Sequence, residues 1–220
     1  MGKTVILGCS SLKDFIDNAQ KKAGTDYQVI YLNRLYHRDP AEMREHVIEA
    51  LEKLEPEVDT VLVSMGFCGG SWDKVKVPVK LVIPRVDDCV SLLLQLTDEP
   101  VSDLKDPRHL YIKDRDPKNM CFRDIFDKMT VDLDEETRDR YHRDWMSYYD
   151  AMDIIDTGIY DVHDPKYADP VRADADWLEA EMNYVPGGTY LLEKLFTGNW
   201  DGQFMIFEPG EITENILMPC

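Results

Sequence analysis

The pattern of apolar and polar positions predicts short buried strands that alternate with amphipathic helices. Four apolar runs have the length and β-branched content of buried strands: residues 4–7, 27–32, 60–64 and 79–84. Residues 12–23 and 39–54 lie between the first three runs and carry apolar side chains at helical spacing. Strands joined by helices in this way form right-handed crossovers, so the pattern predicts a parallel sheet.

The second half of the chain continues the pattern with less regularity. Further strands are predicted at residues 108–113, 152–157 and 203–208, and further helices at residues 90–96, 132–150, 174–182 and 188–196. Residues 160–174 are rich in aspartate and contain two prolines, which predicts a long loop. The fold class is therefore α/β, with a Rossmann-like parallel sheet and helices on both faces. We expect one domain over residues 1–220, with two possible similar halves at 1–100 and 101–210 and a tail at 211–220.

Composition excludes several classes of function. The chain has 25 Lys plus Arg against 43 Asp plus Glu, and its net charge of −18 disfavours binding to nucleic acid or to an anionic membrane. It has no run of 18 consecutive apolar residues, and its first residues lead directly into a strand pattern. We therefore expect a cytoplasmic protein with no nucleic-acid or membrane partner.

The five cysteines do not form a local motif. They stand at positions 9, 68, 89, 121 and 220, and no two of them form a CxxC pair. In a reducing compartment this spacing favours buried or metal-binding thiols over a disulfide framework. Any metal site must then be assembled from distant parts of the chain, and Cys121, in a mixed amphipathic segment, is interpreted as a core or surface thiol.

Three of the cysteines and one histidine follow the first four predicted strands. Cys9 comes after the first strand, His37 after the second, Cys68 after the third and Cys89 after the fourth. Ligands of open α/β sheets bind just outside the carboxyl ends of parallel strands. We therefore predict a metal site formed by these four residues.

The metal and its chemistry stay open at this point. Zinc would take the three sulfurs with His37, a carboxylate or an open position, and a thiol substrate bound at an open position would be deprotonated and able to accept a methyl group. An iron–sulfur cluster would use the same three thiolates. Soft sulfur ligands suit both.

Neighbouring residues suggest supporting roles. Gly66, Gly69 and Gly70 surround Cys68 and would let the backbone approach a bound cofactor, although no GxGxxG or P-loop motif is present. Asp88 is a candidate general base or ligand-orienting group, or else the N-cap of the following helix. Arg85 is a candidate clamp for a carboxylate or phosphate, or else the ion-pair partner of Asp87 or Asp88.

Several of these patterns together resemble one family. They include the cysteine after the first strand, the turn at residues 66–69, the block at residues 83–89, and a late Gly-x-Trp that is followed by an apolar strand and Pro-Gly. From about Thr4 to Gly210 the chain resembles the domain-of-unknown-function family 1638, found in anaerobic bacteria and methanogenic archaea. Its members often lie among genes for corrinoid-dependent methyl transfer. The resemblance therefore implies corrinoid-linked methyl or one-carbon metabolism, a small-molecule or thiol substrate, and a corrinoid protein or methyltransferase as partner.

Three functions are consistent with the sequence. The first is a three-cysteine metalloprotein that transfers a methyl or other one-carbon group. The second is a non-catalytic metal-binding accessory protein of a methyltransferase system. The third is a metal-free enzyme in which Cys68 is the nucleophile, activated by its glycine-rich turn and a helix N-terminus.

Overall fold

The computed structural model describes residues 2–99, 104–117 and 121–213. The chain forms two compact units. The first comprises Met1–Ser102 together with Thr189–Cys220, and the second is Asp103–Gly188. None of the helices in the described ranges is both long and apolar enough to cross a membrane.

The described residues form strands and helices in the following order along the chain. The strands are β1 (Lys3–Cys9), β2 (Gln28–Leu32), β3 (Val58–Ser64), β4 (Lys80–Pro84), β5 (His109–Ile112), β6 (Ala151–Asp156), β7 (Glu181–Pro186) and β8 (Phe204–Phe207). The helices are α1 (Lys13–Ala23), α2 (Pro40–Glu52), α3 (Cys89–Leu94), α4 (Phe122–Met129), α5 (Glu135–Tyr148), α6 (Pro165–Leu178) and α7 (Tyr190–Thr197). Short 3₁₀ turns lie at Ser10–Leu12 and Arg34–Arg38.

The first unit contains a five-stranded sheet in the order β2-β1-β3-β4-β8. Strands β1 to β4 are parallel, and β8 pairs antiparallel with β4 at the edge. The connection from β1 to β2 runs one way across the sheet, and the connection from β2 to β3 runs back the other way. Right-handed crossovers therefore place α1 and α2 on opposite faces of the sheet. Helix α7 packs against α1 and α3. The strand order therefore reverses between β1 and β3, which is where such sheets bind ligands.

The helices of the first unit begin and end at residues that the sequence marks. Asp39 caps α2, because its side chain accepts a hydrogen bond from the Ala41 N–H at 2.8 Å, and Pro40 follows as the first helical residue. Helix α1 ends at Gly24, which adopts a left-handed conformation with φ of 69°. These two signals set where α1 ends and where α2 begins.

The second unit contains a smaller parallel sheet in the order β5-β6-β7. One cluster of its buried apolar residues comes from β5, β6, α6 and the turn before α6: Leu110, Ile112, Met152, Ile154, Val162, Tyr167, Val171, Ala175 and Leu178. The expected α/β class, with mostly parallel sheets flanked by helices, is confirmed, although the strands are divided between two sheets.

Some local predictions are wrong. Much of the loop predicted at residues 160–174 is helical, since Asp164 caps α6 and Pro165 occupies its first turn, where a missing N–H costs little. The helix predicted at residues 174–182 ends at Leu178, and Glu181 already begins β7. Strand β8 is antiparallel rather than parallel. The predicted tail at 211–220 lies largely outside the described residues, but Thr213 is fully buried, and its N–H donates to the Val75 carbonyl at 3.0 Å.

Candidate metal centre

Each of the four parallel strands has one potential metal ligand at or shortly after its carboxyl end. Cys9 is the last residue of β1, and His37 lies in the 3₁₀ turn Arg34–Arg38 that follows β2. Cys68 follows β3 after a short turn, and Cys89 is the first residue of α3, after β4. The structure thus places all four predicted ligands at the same edge of the sheet, next to the point where the strand order reverses.

The side chains of Cys9, His37 and Cys89 lie close together, and Cys68 lies beside them. His37 Nε2 lies 3.2 Å from Cys9 Sγ, and the ligand atoms of Cys9, His37 and Cys89 all lie within 4.8 Å of one another. Cys68 lies beside this trio, because interaction with Cys89 and with His37 lowers the pKa of its thiol, but its sulfur is not within 4.8 Å of all three ligand atoms. We call this set the four-donor cluster: Cys9, His37, Cys68 and Cys89.

The loops after β3 and β4 lie directly against each other. The Phe67 N–H donates to the Val86 carbonyl at 3.1 Å, and the Cys68 N–H donates to the Asp87 carbonyl at 2.7 Å. A Cβ at Gly66 would lie only 2.4 Å from the Cα and N of Asp88, so only glycine permits this approach. Gly66 therefore brings the Cys68 and Cys89 loops together.

The turn at Cys68 has an unusual backbone conformation. Cys68, Gly69 and Gly70 have φ values of 47°, 70° and 94°, all in the left-handed region. This conformation costs little for glycine but is uncommon for a cysteine, and such outliers concentrate at functional sites. The turn is held against α2, because the Gly70 carbonyl accepts a hydrogen bond from Arg44 Nη2 at 2.8 Å. The predicted cofactor-binding role of Gly69 and Gly70 stays a prediction.

The contacts within the cluster shift the pKa of every member. Hydrogen bonding to Cys89, above all, lowers the pKa of Cys9 to about 3 and that of Cys68 to about 6, with His37 adding to both shifts. Hydrogen bonds to Cys68 and then Cys9 raise the pKa of His37 to about 10. Cys89 hydrogen-bonds to both of those sulfurs and is buried, so its pKa rises well above its usual value. The metal-free cluster at neutral pH thus pairs two thiolates with an imidazolium and a protonated Cys89.

The two predicted catalytic residues have different surroundings. The Asp88 side chain caps α3 by accepting hydrogen bonds from the N–H groups of Val90, at 3.0 Å, and Ser91, at 2.9 Å. This geometry supports the N-cap alternative, because the carboxylate is engaged with the helix N-terminus. Arg85 is exposed, and no ion pair involves it among the described residues. Its role as a clamp stays a prediction.

Two serines directly after β1 support the cluster. Ser11 Oγ lies 3.2 Å from Cys9 Sγ, and Ser10 Oγ accepts a hydrogen bond from the Arg34 N–H at 2.9 Å. Ser10 thereby attaches the turn that carries His37 to the loop that follows Cys9. The signal for these roles is the position of both serines directly after Cys9.

Cys121 does not belong to the cluster. Its thiol donates to Asp174 Oδ1 at 3.3 Å within the second unit, and the same carboxylate accepts a hydrogen bond from the Phe122 N–H at 2.7 Å. Asp174 is buried, and its carboxylate binds the N–H of the first residue of α4. The interpretation of Cys121 as a structural thiol agrees with these contacts.

One comparison with known proteins gives a match. The family described as "Protein of unknown function (DUF1638)" matches residues 31–196, about three quarters of the 220 residues. The matched part contains His37, Cys68 and Cys89, whereas Cys9 and the late Gly-x-Trp at Gly198 lie outside it. No curated protein and no solved structure matches the chain significantly.

Proposed function

The chain belongs to the DUF1638 family, whose description names no activity, and we propose from its own side chains that it is a zinc protein. One observation carries the proposal: Cys9, His37, Cys68 and Cys89 lie at or just after the carboxyl ends of the four parallel strands, and the ligand atoms of Cys9, His37 and Cys89 lie within 4.8 Å of one another. Close thiolates repel one another, and burial raises their pKa values, so a bound cation is the natural compensation. Soft sulfur donors with one imidazole are a preferred donor set of zinc.

The spacing favours a single ion over an iron–sulfur cluster. Two ligands of a tetrahedral zinc ion are separated by about 3.6 Å, given bonds of about 2.3 Å to sulfur and about 2.0 Å to nitrogen. The separation of 3.2 Å between Cys9 and His37, and the limit of 4.8 Å for the trio with Cys89, agree with donors around one ion. In a [4Fe–4S] cluster each thiolate binds a different iron and the sulfurs lie farther apart.

His37 marks the side from which a substrate reaches the site. No residue of its 3₁₀ turn is buried, whereas Cys9 and Cys89 are buried and Cys68 is half-buried. We infer that the three sulfurs hold the metal and that the position of His37 is the one that a thiol substrate takes. A zinc ion there would keep that thiol deprotonated and nucleophilic at neutral pH. The transferred group in this proposal is a methyl or other one-carbon unit, delivered by a corrinoid protein or methyltransferase partner in the cytoplasm.

A second candidate function needs no metal. The pKa of Cys68 is lowered to about 6, first by its hydrogen bond with Cys89, and the residue is half-buried in a left-handed turn. A partly accessible thiolate of this kind is a competent nucleophile. Under this alternative Cys68 alone would react with substrate, and the other three donors would serve to lower its pKa.

Metal analysis separates the two candidates. Protein purified without oxygen should contain stoichiometric zinc and no acid-labile sulfide. Cys9→Ser, Cys68→Ser, Cys89→Ser and His37→Ala should each reduce the zinc content, whereas Cys121→Ser, a cysteine outside the cluster, should retain it. Finding iron together with acid-labile sulfide would mean that the site holds an iron–sulfur cluster instead of zinc. A metal-free protein that cannot be reconstituted would refute the metal site and favour Cys68 as a lone nucleophile.

Proton release gives an independent test of the cluster. Zinc must displace the protons that its ligands carry, and at pH 8 these lie on His37 and Cys89 because the pKa of His37 is raised to about 10 and that of Cys89 is also raised. Binding at pH 8 should therefore release about two protons per ion. Calorimetry in buffers of different ionisation enthalpy measures this number. Release of four protons per zinc ion would contradict the protonation states given above for the four side chains.

A further inference from the structure

Cys68 and Cys89 are brought together by their backbones as well as by their side chains. The Phe67 N–H donates to the Val86 carbonyl at 3.1 Å, and the N–H of Cys68 itself donates to the Asp87 carbonyl at 2.7 Å. The missing side chain of Gly66 allows the two loops to approach to this distance. Two cysteines held on adjoining loops in this way are candidates for a covalent bond between their sulfurs.

Cys9 is less suited to such a bond. It is the final residue of β1 at the centre of the sheet, its Cα is in register with that of Leu32, and its side chain is fully buried. Its sulfur lies within 4.8 Å of the Cys89 sulfur, but it is already engaged with Ser11 at 3.2 Å and His37 at 3.2 Å. Cys68 lies in a loop and is half-buried, so an external reagent reaches Cys68 before it reaches either of the other two thiols.

We propose that Cys68 and Cys89 are a redox-active dithiol that reacts with low-molecular-weight disulfides, with Cys68 as the attacking and Cys89 as the resolving thiol. The Cys68 thiolate attacks one sulfur of the oxidant, forms a mixed disulfide and releases one thiolate. Cys89 gives its proton to solvent and attacks the Cys68 sulfur. The Cys68–Cys89 disulfide forms, and the second thiolate of the oxidant leaves. Two protein thiols are oxidised, and one small disulfide is reduced to two thiols.

Oxidation has a consequence for the metal site. The disulfide removes two of the four donors and leaves only Cys9 and His37, which are too few to hold a zinc ion tightly. Oxidation should therefore release the metal, and reduction should restore binding. This consequence rests on the proposed function, whereas the dithiol reaction itself requires no metal.

The dithiol is tested on the metal-free full-length chain. Chelator-treated protein carrying Cys121→Ser and Cys220→Ser is incubated with glutathione disulfide, digested with trypsin without reduction and analysed by mass spectrometry. Cleavage at Lys3, Lys13, Lys53, Lys74, Arg85 and Lys105 places Cys9, Cys68 and Cys89 in three different peptides. The expected product joins residues 54–74 to residues 86–105, with a loss of two free thiols per chain. Adding Cys68→Ser should abolish this product.

Each outcome decides the proposal. A dominant link between the Cys9 and Cys89 peptides, or a mixed disulfide with glutathione on Cys68 that does not resolve, would overturn it. Wild-type protein with all five cysteines gives the same map by direct analysis, so a variant that fails to fold does not end the test. A chain that forms the Cys68–Cys89 link but never binds zinc refutes the proposed function alone. A chain that binds zinc but forms no link refutes the dithiol alone.

Discussion

Replacing Gly66 by alanine tests whether the contact between two loops builds the site. The new Cβ would lie 2.4 Å from the Cα and N of Asp88, and both are backbone atoms that cannot rotate away. Carbon atoms in contact are separated by about 3.5 Å or more, so the loops must separate by about 1 Å. The substitution creates no backbone strain, because Gly66 is not among the residues with positive φ. Its whole effect therefore comes from the steric clash.

The size of the effect follows from what the separation breaks. The hydrogen bonds from Phe67 to Val86 and from Cys68 to Asp87 would be lost or lengthened, at about 1 kcal/mol each. Overpacking adds about 1–3 kcal/mol, so the free energy of unfolding should fall by roughly 3–5 kcal/mol. Metal ligands tolerate displacements of only about 0.2 Å, and Cys68 would move relative to Cys89. Zinc binding should weaken about 10–100-fold, as when groups that orient ligands are removed.

Urea denaturation and chelator competition measure the two effects. The matched control is Gly202→Ala, since a Cβ at Gly202 meets no atom within 4 Å and its φ is not positive. That variant should be as stable as the wild type or slightly more stable, with unchanged zinc affinity. If Gly66→Ala behaved like Gly202→Ala in both assays, the close approach of the loops would not be what assembles the cluster.

Two further predictions concern single side chains. Asp88→Ala should lower the free energy of unfolding by about 0.5–2 kcal/mol through loss of the α3 cap, whereas Asp88→Asn should cost much less. Urea denaturation of both variants checks this, and equal losses would contradict the capping role. The pKa of His109 is raised by its hydrogen bond with Asp153, at 2.7 Å. This contact therefore stabilises the folded protein fully below about pH 6.5, the ordinary pKa of histidine, and the stabilisation is lost as the pH rises through the pKa of His109 in the folded protein. The stability difference between wild type and His109→Gln should therefore shrink from pH 6 to pH 9, and a difference that grew with pH would refute the assignment.

Strands β1, β3 and β4 could be predicted from the sequence because most of their residues are buried, and the edge strand β2 because its run is apolar although only Leu32 is buried. Their apolar runs are short and β-branched, and the helices between them carry an apolar stripe and clear end signals such as Asp39-Pro40 and Gly24. The second unit gave weaker signals. Its strand β7 has only exposed and half-buried residues, so no apolar run marks it. Helix α6 was mistaken for a loop because Asp164 and Pro165 also occur in turns, and only the spacing of Tyr167, Val171 and Leu178 indicates a buried helical face.

The positions of the candidate ligands could also be predicted, but their contacts could not. The rule that parallel strands end at one edge places Cys9, His37, Cys68 and Cys89 together without any local motif. The contacts among these four side chains depend on side-chain directions and loop paths that a sequence does not specify. The role of Gly66 is the clearest case, since its neighbour Asp88 is distant in sequence and is approached only after both loops fold.

The absence of a local ligand pair has a thermodynamic consequence. Successive donors of the four-donor cluster lie at least 21 positions apart, so no short segment of the unfolded chain presents two of them together. A CxxC pair would bind zinc in the unfolded chain as well, and that binding would reduce the net stabilisation. In this protein the unfolded chain should bind zinc only weakly. Nearly the whole free energy of zinc binding should therefore add to the stability of the first unit. At a free zinc concentration 1,000 times the dissociation constant this amounts to about 4 kcal/mol, comparable to the loss expected from Gly66→Ala. Zinc should therefore protect the five-stranded sheet against unfolding, and any reaction that removes two donors should remove that protection at the same time.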